Sequence, residues 1–283
     1  MKPKGKQIAT TFDEDDVYGL FWTDGKYAYF RSNKLTGADI DSFVQYPGFW
    51  AKDNRYCYLG SSKIKNVDHN TFEVLNFTYA KDKSNVWTLG GRISEVDAKT
   101  FEVCDDGKKT SWLGIKKMDN GQMVRYQSYV PYGYAKDKDR VYYYDACGKN
   151  KIVIKADAKT FVSLNDGEYG YDKNFVFCGK AVIPKANPLT WKKLHGINYE
   201  YSQDGDRIYY FNRLIKDADA KTFEVVAIPI VTGFHLQLAK DKNRRYWNDL
   251  VISIDEFEKK VDKELSYYKD NQNKMYPIKD FFV

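Results

Sequence analysis

The chain has 283 residues, enough for one large β domain or two ordinary ones. Charged side chains make up 30% and the mean hydropathy is -0.64, but hydrophobic residues still reach 43%, so a folded chain is expected, and no stretch approaches the roughly 18 apolar residues of a membrane span. A net charge of +6, from 45 basic against 39 acidic residues, permits an anionic partner without demanding one, so nucleic acid is not the expected partner.

Aromatic residues reach 17%, with 24 Tyr and 17 Phe, a bias that favours strands and predicts few helices. The amino-terminal Met1–Lys6 is basic but is followed by polar and acidic residues rather than the apolar run of a signal peptide. A cytoplasmic protein is expected, the alternative being an exported one whose signal has already been removed. Ile8-Ala9-Thr10-Thr11-Phe12-Asp13 then reads as half of a motif that recurs along the chain.

That motif has two parts. Tyr79-Ala80-Lys81-Asp82-Lys83-Ser84-Asn85-Val86-Trp87 returns from Tyr134 to Tyr142 and from Leu238 to Tyr246, with weaker copies centred on Asp24, Asp53, Asp172, Asp204 and Asp270. Asp97-Ala98-Lys99-Thr100-Phe101-Glu102-Val103 returns at Asp157 and Asp219, and as Asp68-His69-Asn70-Thr71-Phe72-Glu73-Val74. The aspartates of the first part are 29 residues apart from Asp24 to Asp53 and from Asp53 to Asp82, so one unit is a repeat of about 30 residues. Asp and Asn at the Lys-Asp-Lys step suit a tight hairpin turn, and Gly90-Gly91 and Cys147-Gly148 mark a second turn. The expected fold is all-β, a single domain over 1–283 of about eight tandem three-stranded β-meander units. A propeller-like ring is favoured, because the half-motif at Ile8 could complete a last unit around Asp270; an elongated twisted β stack is the alternative.

The spacing from Asp82 to Asp137 is 55 residues, 26 more than the common 29. The excess falls in an irregular segment, 105–132, read either as an insertion or as a degenerate unit with an eroded turn. Function on a repetitive scaffold is usually placed on such a loop. Its large and cationic residues, Trp112, Lys116, Lys117, Arg125, Tyr126 and Tyr129, are the candidate partner-binding residues, since Trp, Tyr and Arg supply anchoring area at low entropy cost.

The tandem Asp-Lys-Asn pattern resembles the DKNYY family of bacterial repeat proteins, with Tyr171-Asp172-Lys173-Asn174-Phe175-Val176-Phe177 nearest to the name motif. Asp204-Gly205-Asp206 drops the lysine, and Trp22-Thr23-Asp24-Gly25-Lys26 keeps only the aspartate. The resemblance implies the repeat organisation and carries no activity.

No catalytic signature accompanies the repeat. The recurring aspartates read as turn formers, because a catalytic acid is needed once and a turn former once per unit. Asp13-Glu14-Asp15-Asp16 and Asp204-Gly205-Asp206 lack the spaced oxygen ligands of a calcium loop. His69, His195 and His235 have no metal-ligand spacing, and Cys57, Cys104, Cys147 and Cys178 form no CxxC pair. No metal, cofactor or enzymatic activity is expected. The leading functional reading is a non-enzymatic protein-binding module, in its most specific form a bacterial immunity protein that neutralises a toxin domain. The alternative is a carbohydrate- or surface-binding repeat protein with an equivalent aromatic site in several units.

Overall fold

The computed structural model describes residues 2–10, 20–117, 120–148, 150–195, 200–228 and 236–271, leaving aside the side chains of 111–116, 125–127 and 271. The chain is nearly all β, in small antiparallel sheets, with one α-helix among the described residues.

The sheet around Asp82 shows how the sequence makes a unit. Its strands are Glu73–Val74, Ala80–Lys81, Val86–Thr88 and Gly91–Arg92, paired in chain order. Three strands were expected and four are found, because the run from Phe72 to Lys81 is broken by a second turn. The Asn76 side-chain oxygen accepts the backbone N–H of Thr78 at 2.9 Å and of Tyr79 at 2.8 Å, folding the chain back so that Leu75 N–H meets the Tyr79 carbonyl at 2.9 Å. Asp166 makes the same turn with Glu168 and Tyr169.

The charged pattern of the repeat is the cross-strand register. Lys81 stands opposite Glu73, Lys136 opposite Glu102 and Lys240 opposite Glu224, with ammonium–carboxylate distances of 3.9, 3.4 and 3.2 Å.

The aspartate of each hairpin does more than form a turn. In Asp137, Oδ1 accepts the N–H of Asp139 at 2.9 Å and of Arg140 at 2.8 Å, while Oδ2 accepts the Tyr142 hydroxyl at 2.7 Å and the N–H of Asp97 at 3.0 Å. Asp53 and Asp241 repeat all four bonds, with Tyr58 and Asp39, and with Tyr246 and Asp219. One carboxylate thus joins its own turn, the following strand and the Asp-Ala-Lys-Thr turn of the same unit. The threonine of that turn closes the contact: Lys83, Lys138 and Lys242 donate their N–H to Thr71, Thr100 and Thr222 at 3.1, 3.2 and 3.1 Å.

The chain divides into two compact units, 1–109 with 128–169, and 110–127 with 170–283. In the first unit the Asp53 sheet comprises Val44–Gln45, Trp50–Lys52, Cys57–Leu59 and Ser62–Lys63, and the Asp137 sheet Glu102–Val103, Gly133–Lys136, Val141–Tyr144 and Lys151–Ile152. The Asp24 sheet has three strands, Phe21–Thr23, Ala28–Phe30 and Asn33–Lys34. Lys6–Gln7 pairs with Val44–Gln45, and Ala9 bridges to Trp22, so the amino-terminal segment extends the first two sheets.

Core clusters form between one sheet and the next. Phe101 lies between the rings of Tyr79 and Tyr142 at centroid distances of 5.6 and 5.9 Å, and Phe72 between Trp50 and Trp87 at 6.4 and 6.3 Å. The Thr-Phe step of the second half-motif is therefore the residue wedged between consecutive units. These sheets are buried on both faces: Tyr142, Tyr143 and Tyr144, successive along one strand, are all buried.

In the second unit the Asp204 sheet comprises Lys192–Lys193, Tyr201–Asp204, Arg207–Tyr210 and Arg213–Leu214, and the Asp241 sheet Glu224–Val225, Leu238–Lys240, Arg245–Trp247 and Leu250–Ile252. Phe223 again sits between two tyrosines, Tyr201 and Tyr246, at 5.5 and 5.3 Å. The unit expected around Asp270 is absent from the described residues: Lys269 and Asp270 end the helix Ile254–Asn271. Ser253 caps it, accepting the N–H of Glu256 at 3.1 Å, and Asp255 and Glu256 favour its positive end. Phe257 is buried, and Lys260 lies 3.5 Å from the centroid of the Trp247 ring.

Two substitutions separate ring packing from the carboxylate network. Phe101→Ala is expected to lower stability in urea by about 3 kcal/mol or more, whereas Tyr142→Phe, which keeps the ring and loses the hydroxyl, should cost about 1 kcal/mol. Burial raises the pKa of Asp137, but the Tyr142 hydroxyl and the backbone donors outweigh it and hold the carboxyl below its usual range. The network's contribution is therefore present above the ordinary aspartate pKa and lost as pH falls through the depressed one, so Tyr142→Phe and wild type should converge in stability in acid.

Candidate functional site

The 105–132 segment is built on the same turn as Asn76. Cys104 N–H meets the Tyr134 carbonyl at 2.9 Å, as Leu75 meets Tyr79, and Asp105 accepts the N–H of Gly107 at 2.9 Å and of Tyr134 at 2.8 Å. Asp105 and Tyr134 are 29 residues apart where Asn76 and Tyr79 are 3 apart. The difference, 29 − 3 = 26, equals the excess in the repeat spacing, 55 − 29. The extra residues are an antiparallel hairpin inserted in one turn, with strands Lys108–Lys117 and Met123–Pro131 of 10 and 9 residues.

Its root is braced by polar contacts within the first unit. Ser163 Oγ donates to Asp105 Oδ2 at 2.8 Å, and Asn76 Nδ2 donates to the Asp105 carbonyl at 2.9 Å. Asn165 receives the N–H of Asp106 at 2.8 Å and returns its amide to the Asp106 carboxylate at 3.1 Å. Lys109 Nζ lies 2.6 Å from Glu168, whose carbonyl accepts the Tyr134 hydroxyl at 2.8 Å. Gly133, at φ 139°, passes so close to Asp105 that a Cβ there would lie 2.2 Å from Oδ1.

Of the expected binding residues, Tyr129 is half-buried at the root, with Lys108 Nζ 4.6 Å from its ring centroid. Lys117 is exposed near the tip, where Gly121, at φ 82°, and the Asn120 side chain, which accepts the Gln122 N–H at 3.0 Å, form the turn. Trp112 and Lys116 lie in the first strand and Arg125 and Tyr126 in the second; their side chains fall outside the described residues.

Burial pushes the Asp105 carboxyl up to about 6, against the lowering effect of its donors. Its donors are the backbone of Tyr134 and Gly107 and the Ser163 hydroxyl, an arrangement that fixes a turn rather than delivers a proton to a substrate. Burial likewise raises the thiols of Cys57 and Cys104 to about 12, which removes them as nucleophiles at neutral pH. Asp204 accepts from Asn187 N–H, Thr190 Oγ1 and Arg207, and among the described residues no group of three or more His, Cys, Asp or Glu is placed to hold a metal ion. Asp13–Asp16 and His235 lie outside the described residues. His69 Nε2 is engaged 2.7 Å from the Asp53 carbonyl.

Residues 50–213, more than half of the chain, match the DKNYY family. The chain belongs to the DKNYY family. No significant match to a curated protein or to a solved structure was found. The DKNYY match contains both the hairpin and its root. In the DKNYY name motif itself, Asp172 accepts the N–H of Asn174 and Phe175 at 2.7 Å each, the same turn as in the other units. Composition and spacing located the insertion but missed its root; aligning Cys104-Asp105 with Leu75-Asn76, and Tyr134 with Tyr79, would have revealed it.

Because the folded pKa of Asp105 lies above the ordinary 3.8, the folded chain binds more protons than the unfolded one between those values, and stability falls as pH rises from about 4 to about 6. Asp105→Asn should remove that slope, up to about 3 kcal/mol across the interval, when urea midpoints of variant and wild type are compared against pH.

Proposed function

We propose that this DKNYY protein is a non-enzymatic protein-binding module whose inserted hairpin, 108–131, is the contact element, and that it serves as an immunity protein neutralising a toxin domain. The observation that supports this reading is the hairpin itself. Its strands are the longest among the described residues, in a chain whose other strands have two to four, and its root is tied down by Asp105, Ser163, Asn165 and Glu168. A long element on a braced base loses little freedom on binding, which is what a tight contact requires. It also carries Trp112, Arg125, Tyr126 and Tyr129, residue types that anchor interfaces, with Lys116 and Lys117 supplying positive charge.

The carbohydrate reading draws less support, since the repeated tyrosines Tyr58, Tyr142, Tyr209 and Tyr246 are buried and so do not offer stacking platforms. The proposed tandem architecture, a propeller-like ring or an elongated twisted stack, rests on the sequence period. Among the described residues no helix is long and apolar enough to cross a membrane, and a soluble cytoplasmic location is part of the proposal.

The test is affinity purification of the tagged chain from its native host, with mass spectrometry of what co-purifies. One stoichiometric protein is expected, and Trp112→Ala or Arg125→Ala should weaken its capture by about tenfold or more while leaving the thermal midpoint unchanged. Full capture by both variants would reject the hairpin as the contact, and retention on polysaccharide resin with no protein partner would replace the reading with the carbohydrate one.

A further inference from the structure

Away from the hairpin, the first unit contains a groove of about 330 Å³ between the Asp53 and Asp82 sheets. Its floor is Leu59, Ile64 and the Trp87 indole, the outer margin of the core cluster that Trp50, Cys57 and Phe72 complete. Its rim is Lys63, Lys65 and Arg92, together with Ser62 and Asn66, and no carboxylate lines it.

Two of these cations come from the repeat. Lys34, Lys63 and Arg92 each stand ten residues after the turn aspartate, on the last strand of their sheets, and recur every 29 residues. Each is held by the residue three after that aspartate. Lys34 Nζ lies 3.0 Å from the Tyr27 ring centroid, Lys63 Nζ 3.4 Å from that of Tyr56, and Arg92 donates to Asn85 Oδ1 at 3.3 Å. Those partners position the charges without neutralising them. Lys63 and Arg92 converge on one groove because the two sheets pack face to face through Phe72, between Trp50 and Trp87.

We infer that this groove is a second binding site, for an acidic segment of a partner protein that places one aliphatic or aromatic side chain on Leu59, Ile64 and Trp87 and carboxylates on Lys63, Lys65 and Arg92. The volume is at the small end of ligand sites and suits a side chain or two. The apolar floor distinguishes such a segment from a simple polyanion, and three cations with no lining carboxylate set the sign of the charge that fits. The inference stands apart from the hairpin reading, since it uses none of its residues.

The experiment is fluorescence anisotropy of the full chain with a fluorescein-labelled peptide alternating glutamate and leucine, compared with a glutamine–leucine peptide and a single-stranded oligonucleotide of equal charge. Saturable binding of the acidic peptide is expected, weakened by rising salt. It should be about tenfold tighter than the binding of either comparison probe. The Lys63→Glu/Arg92→Glu double variant should lose about tenfold in affinity, while the equally charged Lys99→Glu/Lys159→Glu pair, on exposed turns elsewhere, should change it by less than about twofold. Circular dichroism melts of both variants confirm folding. The inference is overturned by absence of saturable binding, by equal loss in the two double variants, by equal binding of the glutamine peptide, or by tighter binding of the oligonucleotide.

Discussion

The rest of this structure depends on one carboxylate per unit. Asp53, Asp137 and Asp241 each receive four hydrogen bonds, three from backbone N–H groups and one from a buried tyrosine hydroxyl. A carboxylate has about four acceptor positions, so each is saturated. That saturation replaces the long ladders of ordinary sheets: strands of two or three residues contribute few backbone bonds, and the aspartate supplies the connections between turns that the strands cannot. In these three aspartates no lone pair is left to offer to a substrate proton or a calcium ion.

The second constraint is the ring wedged between units. Phe43, Phe72, Phe101 and Phe223 each lie between two aromatic residues from consecutive sheets, so a three-residue strand still buries a large apolar area. The high Tyr and Phe content is thereby spent on the interior. The two proposed contact elements are local departures from this interior packing: the inserted hairpin, and the groove where two edge strands bring cations above the margin of a core cluster.

The hairpin shows how a repeat acquires a new element without disturbing its neighbours. An Asx turn already brings Asn76 and Tyr79 together in the preceding unit, and Asp105 holds Tyr134 in the same way across the insertion. The cost is a carboxylate enclosed among few donors, whose pKa rises while those of the hairpin-turn aspartates Asp53, Asp137 and Asp241 fall. The same residue type thus carries opposite pH signatures in two turns, decided first by how deeply the carboxyl is buried and then by how many donors offset that burial.

The sequence by itself determined the period, the hairpin turns, the β class and the place of the insertion, because these follow from local contacts and recurring spacing: an aspartate with the amides two and three positions on, and residue types that return at a fixed interval. The spacing of Asp270 favoured a further unit, and a helix stands there instead, held because Phe257 is buried and Lys260 lies over Trp247. Only the tertiary structure decided that Tyr142 to Tyr144 are all buried, that Asp105 is raised toward neutrality, and that Lys63 and Arg92 share a groove. Each of these depends on the packing of one sheet against another, which brings together side chains 29 or more residues apart whose separation along the chain carries no trace of their contact.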